Sequence, residues 1–534
     1  MKLTTPPAAI DVAATGPAAK PTTPYLQAAL SLAQELARGG PEWWGDDLIG
    51  ETPATAKVIR RACGDGLYGG TAGIGAFLVH AGLAGGDDSV CRLGGQVLSA
   101  AVQRALVAGD GGGGGRREAA PRDLSLYTGE AGIALAAHEA ACRTSDSALR
   151  AQALALAESV AQAARTEPLP RADDLIGGPA GTLLALLALA RTETVAARHW
   201  VPAVARLADA LCNRAAAQPL GLHWPDRDAS GVARLAADPS GTFNTLNPYG
   251  TFDLFGMDGV DSADSADSAD GTDGTDGKDG TDGTDGAGAP SATTIACTTP
   301  GLCGMAHGAS GIAWALDEAG AWLLAPAASA ARWRQVAAQA RLFESSWFDA
   351  ARAAWPDLRE LDPAATSAPP TACAWCHGGI GIGAVRWRRY SEQGDVADLA
   401  EASACQQGAR LGLAAAQATL REGRLPDLTP CHGLAGSAEL LLLAHEATAL
   451  PEHLQAARRV GDFMLRARQE RGAWGSGLVG AEDVPGLMVG RAGIGTTLLR
   501  LHDVRAAPSP LLPGHTLGPP ALPLKVPLKL SASA

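Results

Sequence analysis

The chain has 534 residues, 46% of them hydrophobic, enough apolar material for a large buried core in one domain or several. Its formal charge of −13 is concentrated. Ten aspartates at every third position from Asp258 to Asp285, offset by Lys278, carry −9 of it and leave −4 on the rest. A near-neutral body without a basic stripe excludes nucleic-acid binding through phosphates, and attraction to an anionic membrane surface with it.

Residues 1–24 are rich in Pro, Ala and Thr and predict a poorly ordered tail. They contain no apolar core of an export signal, so a cytoplasmic protein is expected. Ten cysteines without close regular spacing do not read as a disulfide framework. From Tyr25 the spacing of Leu26, Ala29, Leu30, Ala33 and Leu36 predicts a helix that stops at Gly39 and Gly40. Such patterns recur along the chain, whereas alternating β-branched and aromatic runs are scarce, so the predicted fold class is all-α. The longest apolar runs, such as 180–190 and 438–444, fall short of the ~20 residues that span a bilayer, so no membrane insertion is expected.

An internal repeat organises the helices. GLYGGTAGIG (66–75), SLYTGEAGIA (125–134), DLIGGPAGTL (174–183), GMAHGASGIA (304–313), WCHGGIGIGA (375–384), CHGLAGSAEL (431–440) and GLMVGRAGIG (486–495) each contain G-x-x-G. Apart from one long gap that holds the aspartate repeat, the copies recur after roughly fifty to seventy residues, room for two helices per unit. Segments after the glycine pairs are apolar nearly all round, as in 180–190, while intervening segments such as 150–165 show one apolar face. Inner and outer helices explain the difference. Seven helical hairpins with glycine-rich turns opening the inner helices predict an α/α toroid over 25–504, its turns gathered at one end of a central cavity. The glycines in most turns need do no more than allow close packing. The acidic stretch 258–288 reads as a disordered insert rather than a calcium site, and 505–534 as a loose Pro/Leu-rich tail.

Only some turns carry reactive side chains: Asp174 in the third, His307 in the fourth, Cys376 and His377 in the fifth, Cys431 and His432 in the sixth. Cys376 and Cys431 each stand two residues before the leading glycine of adjacent turns. Their shared register aims two thiols and the imidazole of His432 at one point, a Cys₂His set for Zn²⁺ with a fourth position left open for catalysis. Burial as ordinary core residues is the competing reading of a single such Cys-His pair. Zinc lowers a bound thiol's pKa, so a substrate cysteine in the open position would be a thiolate at neutral pH.

In that order, G-x-x-H-G, W-C-H-G, C-H-G-x-x-G and G-L-M-x-G-x-x-G-I-G resemble the motifs of the lanthionine synthetase C-like (LanC-like) cyclases over about residues 25–510. EWWGDDLIG and WPDLR (355–359) look most like the cyclase domains of class II lanthipeptide synthetases, without their dehydratase half. The resemblance implies the seven-hairpin toroid, zinc on Cys376, Cys431 and His432, and Michael-type addition of peptide thiolates to dehydroalanine or dehydrobutyrine, forming thioether rings. It also implies that His307 is the general acid, that Asp174 orients it or takes the thiol proton, and that His377 assists near the metal. The arginine that some members carry four residues before the zinc cysteine is replaced by Ala372. The implied partners are a dehydrated precursor peptide and a separate dehydratase.

Other readings share these features. A toroidal glycosidase needs paired carboxylates, which the turns hardly offer. A protein prenyltransferase would use an Asp-Cys-His set in six hairpins. Within the family, glutathione or another thiol could be the one joined to dehydrated residues. A non-catalytic zinc scaffold that grips peptides for a separate dehydratase would look the same in sequence.

Overall fold

Helices dominate the described residues, which in the computed structural model are 22–49, 57–109, 122–225, 301–360, 370–371, 373–478 and 484–515. The acidic insert at 258–288 and Ala372 lie outside them. The first helix, α1 (Pro24–Gly39), is capped by Thr23, whose Oγ1 accepts from the Leu26 N–H, and it buries Leu26, Ala29, Ala33 and Leu36 as their spacing predicts. Leu30 stays at the edge of that face, partly buried. A two-stranded antiparallel hairpin follows, β1 (Trp44–Ile49) and β2 (Lys57–Ala62), with Trp44 opposite Ala62.

Helical pairs then run along the chain: α2 (Thr71–Gly85) with α3 (Asp88–Gly109), α4 (Glu130–Thr144) with α5 (Ser147–Thr166), and α6 (Pro179–Ala190) with α7 (Thr194–Arg214). After a short hairpin, β3 (Ala216–Gln218) and β4 (Gly221–His223), come α8 (Ala309–Ala321) with α9 (Ala327–Ser346). The remaining helices are α10 (Gly379–Gln393) with α11 (Val396–Arg421), α12 (Leu434–Thr448) with α13 (Pro451–Arg471), and α14 (Arg491–His502). Every residue of α6 is buried, whereas α5 buries one face through Leu149, Ala153, Leu156 and Val160. That contrast is the expected one between inner and outer helices.

The inner helices pack in the order α2, α4, α6, α8, α10, α12, α14, and α14 packs back against α2, so the ring closes. The seventh hairpin is assembled from both parts of the chain, because the outer partner of α14 is α1. The fold is an all-α toroid of seven helical hairpins. Among the described residues no helix is long and apolar enough to cross a membrane.

The glycine pairs act by space more than by dihedral freedom. The leading glycines Gly70, Gly129, Gly178, Gly308, Gly378, Gly433 and Gly490 are the N-caps of the seven inner helices. Only Gly378 among them needs a positive φ, at 140°. The second glycine of each pair lies against the carbonyl of the residue six positions earlier, Leu126 for Gly132 and Leu487 for Gly493, where a Cβ would overlap the oxygen. A Cβ at Gly381 would also come within 2.6 Å of Met305 Cβ in the preceding turn. Close packing between turns is therefore what the repeat supplies.

The segment after α14 departs from the loose tail that its composition predicts. Ala507, Leu511 and Leu512 are buried. Pro510 O accepts from the Tyr127 hydroxyl at 3.0 Å and Leu511 O from Trp375 Nε1 at 3.3 Å, while His515 Nε2 meets Glu318 at 3.1 Å. Prolines that bar a helix leave backbone carbonyls available to these donors from several hairpins.

Candidate metal centre

Strand-like backbone pairing ties the turns into a second, smaller ring. Tyr68 N–H donates to Tyr127 O, Tyr127 N–H to Ile176 O, Leu175 N–H to Ala306 O, and Ala306 N–H to Cys376 O. Trp375 N–H then donates to Cys431 O, Cys431 N–H to Met488 O, and Met488 N–H to Tyr68 O. Tyr68, Tyr127, Ile176, Ala306, Cys376, Cys431 and Met488 all stand two residues before a leading glycine. Equivalent positions thus line one narrow circle, which is why repeat register, rather than proximity in sequence, decides which side chains meet.

Cys376 and Cys431 are fully buried, and the His432 side chain is 3% exposed. Their ligating atoms all lie within 4.8 Å of one another, and among the described residues this is the only group of its kind. Cys303 and Cys373, nearby in sequence, do not join it. His432 Nδ1 is 3.0 Å from Asp427 Oδ2. Asp427 Oδ1 also accepts from the Thr429 N–H at 2.8 Å and Thr429 Oγ1 at 2.7 Å, fixing the turn.

The thiols sit in opposed electrostatic surroundings. Burial works against ionising Cys376, yet the hydrogen bond with Cys431 and the positive charges of His432, Arg359 and His307 draw its pKa down to about 6. Cys431 is pushed well above the usual thiol range by burial and by its hydrogen bond and charge repulsion with Cys376, with Tyr68 opposing. For His432 burial favours the neutral ring, but the hydrogen bond and charge of Asp427, with Cys376, raise its pKa overall. Arg359 is held by Asp357 through Nε to Oδ1 at 2.9 Å and Nη2 to Oδ2 at 2.6 Å. Its positive charge favours the thiolate of Cys376 and the neutral ring of His432.

The remaining candidates also converge. His307 Nδ1 lies 2.6 Å from Asp174 Oδ2, and Asp174 Oδ1 accepts from the Gly177 N–H at 2.8 Å. Asp174 is not the cap of α6, whose N-cap is Gly178 without a side-chain bond. The His307 and His377 rings stack with centroids 5.0 Å apart and planes at 15°. The turn bearing His307 is clamped by Glu344 of α9, which accepts from the Gly304 N–H at 3.1 Å and Ser310 Oγ at 2.5 Å. Gly304 itself has φ +113° and lies against Cys376 and His377, where a Cβ would come within 2.8 Å of His377 Cα.

Asp427, Tyr68 and Glu344 were not evident as site residues from motif matching. Asp427 had a signal in the repeat: Asp123 stands at the same offset before Gly129 and braces its own turn through the Ser125 N–H at 2.9 Å and Thr128 Oγ1 at 2.6 Å. Glu344 had none, because it reaches the turn from an outer helix.

The family model described as "Lanthionine synthetase C-like protein" matches residues 62–233 and 296–512. Among curated proteins none matches the chain. A solved structure of a nisin cyclase is similar, with 15% identity and a TM-score of 0.47, covering 90% of this chain and 93% of the other.

Proposed function

The chain belongs to the lanthionine synthetase C-like family, and on that premise we propose that it is a zinc-dependent cyclase. It joins cysteine thiols of a peptide to dehydroalanine or dehydrobutyrine residues, giving lanthionine and methyllanthionine thioether rings. The observation that carries this reading is the meeting of two buried thiols and a carboxylate-held imidazole within 4.8 Å, with a second carboxylate-held histidine stacked on His377, the residue after Cys376.

Two thiolates and one neutral imidazole are a set that zinc takes with its fourth position free, so Cys376, Cys431 and His432 would hold it. When bound, zinc would supply the Lewis acidity that keeps a peptide cysteine as thiolate near neutral pH. Asp427 keeps the His432 ring turned and its tautomer fixed.

In the addition, the sulfur lone pair forms a C–S bond at the β-carbon of the dehydro residue. The C=C electrons move toward the neighbouring carbonyl as an enolate, and a proton must then reach the α-carbon. His307 is the donor, since Asp174 holds Nδ1 and leaves Nε2 as the nitrogen that transfers the proton. The proton released from the attacking thiol balances the one delivered. His377, stacked on His307, confines that ring in one plane, and Arg359 adds positive charge where anions gather.

The substrate must arrive dehydrated, so a separate dehydratase and its precursor peptide are the expected partners. Ligation and attack both need reduced thiols, which suits a cytoplasmic setting.

Zinc-loaded protein incubated with a dehydrated, cysteine-containing peptide should remove free thiol from that peptide without changing its mass. Fragmentation should then fail across the new ring, and Cys376→Ala protein should leave the peptide linear. Rings formed equally by Cys376→Ala protein would contradict the reading. A mass increase from an added thiol, with no ring, would assign intermolecular addition instead.

A further inference from the structure

Tyr68 occupies in the first turn the position that Cys376 and Cys431 occupy in the fifth and sixth. Closure of the ring through the seventh turn brings it to the metal side, since Cys431 N–H donates to Met488 O and Met488 N–H to Tyr68 O. The residue is 2% exposed, and its hydroxyl donates to Cys431 Sγ at 3.0 Å. Buried phenols seek a hydrogen-bond partner, and here the partner is a ligand's sulfur. The equivalent Tyr127 turns its hydroxyl to Pro510 O instead, so the sulfur contact belongs to Tyr68 and not to the repeat position.

We propose that Tyr68 is a positioning residue of the metal centre, fixing Cys431 Sγ and withdrawing charge from it so that the cation keeps its attraction for an incoming thiol. The inference rests on the reading of Cys376, Cys431 and His432 as ligands. A hydrogen bond to a thiolate stabilises charge on the sulfur and lowers what that sulfur gives to the cation. The effect matters at this centre because a substrate thiolate joining two protein thiolates places three anions on one divalent ion. Tyr68 transfers no proton and acts only through Cys431.

Cobalt(II) in place of zinc makes the sulfur donation visible. Wild type, Tyr68→Phe and Tyr127→Phe are each loaded with Co²⁺ and their electronic spectra compared. Phenylalanine keeps the ring and its edge contact with Tyr127, whose centroid is 6.2 Å away. All three should show the intense d–d bands of tetrahedral cobalt. In Tyr68→Phe alone the sulfur-to-cobalt charge-transfer band should move to longer wavelength, because a sulfur without its hydrogen bond gives up charge more readily. Superimposable charge-transfer bands in wild type and Tyr68→Phe, or an equal shift in Tyr127→Phe, would overturn the role of Tyr68 and leave the ligand set standing. A wild-type spectrum without sulfur charge transfer would remove the ligand set itself, and the inference with it.

Discussion

Asp427 and His432 face each other within the sixth turn, Oδ2 of one 3.0 Å from Nδ1 of the other. The same carboxylate accepts from Thr429 through its second oxygen, so one side chain sets both the turn and the direction of the imidazole. In its neutral form a histidine held this way carries its proton on the nitrogen facing the carboxylate and aims the lone pair of the other, the usual arrangement behind a zinc-bound imidazole.

Removing that support should weaken the centre without dismantling it. Asp427→Ala is expected to lower zinc affinity roughly ten- to a hundredfold, read by competition against a chromophoric chelator. Unchanged affinity would show that the turn alone orients His432.

Gly477 lies against the Cε1–Nδ1 edge of the imidazole. A Cβ there would come within 2.7 Å of His432 Cε1 and 2.9 Å of both His432 Nδ1 and Thr429 Oγ1. Because the ring is held by Asp427, it cannot yield as a flexible side chain would. Gly477→Ala is expected to lose most bound zinc while keeping its helical circular dichroism, a combination that global unfolding would not give.

His307 and Asp174 should separate chemistry from metal binding. Neither belongs to the ligand group, and they are joined to each other at 2.6 Å. His307→Ala is expected to retain zinc and lose roughly a hundred- to ten-thousandfold in cyclisation rate, the range for removing a general acid. Asp174→Asn should lose less, because the ring remains but its tautomer is no longer fixed. Full activity in His307→Ala would assign the proton to another group.

The seven glycine pairs and the two cysteines in matching register made the toroid and the meeting of Cys376, Cys431 and His432 legible from sequence, because both depend on a repeat that the chain writes out. Residues that act across the ring were not legible. Tyr68 meets Cys431 only once the seventh hairpin is closed by α1 and α14, and Glu344 reaches the His307 turn from α9. Local composition also misled at residues 505–515, where Pro and Leu suggested a loose end. Tyr127, Trp375 and Glu318 supply partners for that segment from three different hairpins.

Glu139, which faces that segment, gives the fold a dependence on pH between about 4.5 and 7. Glu139 accepts from the Gly514 N–H, and its pKa is raised from 4.5 to about 7, chiefly by burial, with Arg143 and Gly514 opposing. A carboxyl raised on folding costs nothing below its ordinary pKa and increasingly destabilises as pH climbs toward the folded value, beyond which the cost is constant. Glu139→Gln should therefore match wild type near pH 4.5 and exceed it by at most about 3 kcal/mol near pH 8. Urea unfolding at the two pH values checks this, and an equal difference at both would contradict it.

On the proposed reading Cys376, Cys431 and His432 together hold one metal ion. Metal content of purified wild type, Cys376→Ala, Cys431→Ala and His432→Ala, measured by atomic emission after dialysis against a weak chelator, tests it most directly. Wild type should retain one zinc per chain and each variant close to none, with all four remaining helical. Stoichiometric zinc in the Cys431→Ala protein, or none in wild type, would contradict the account.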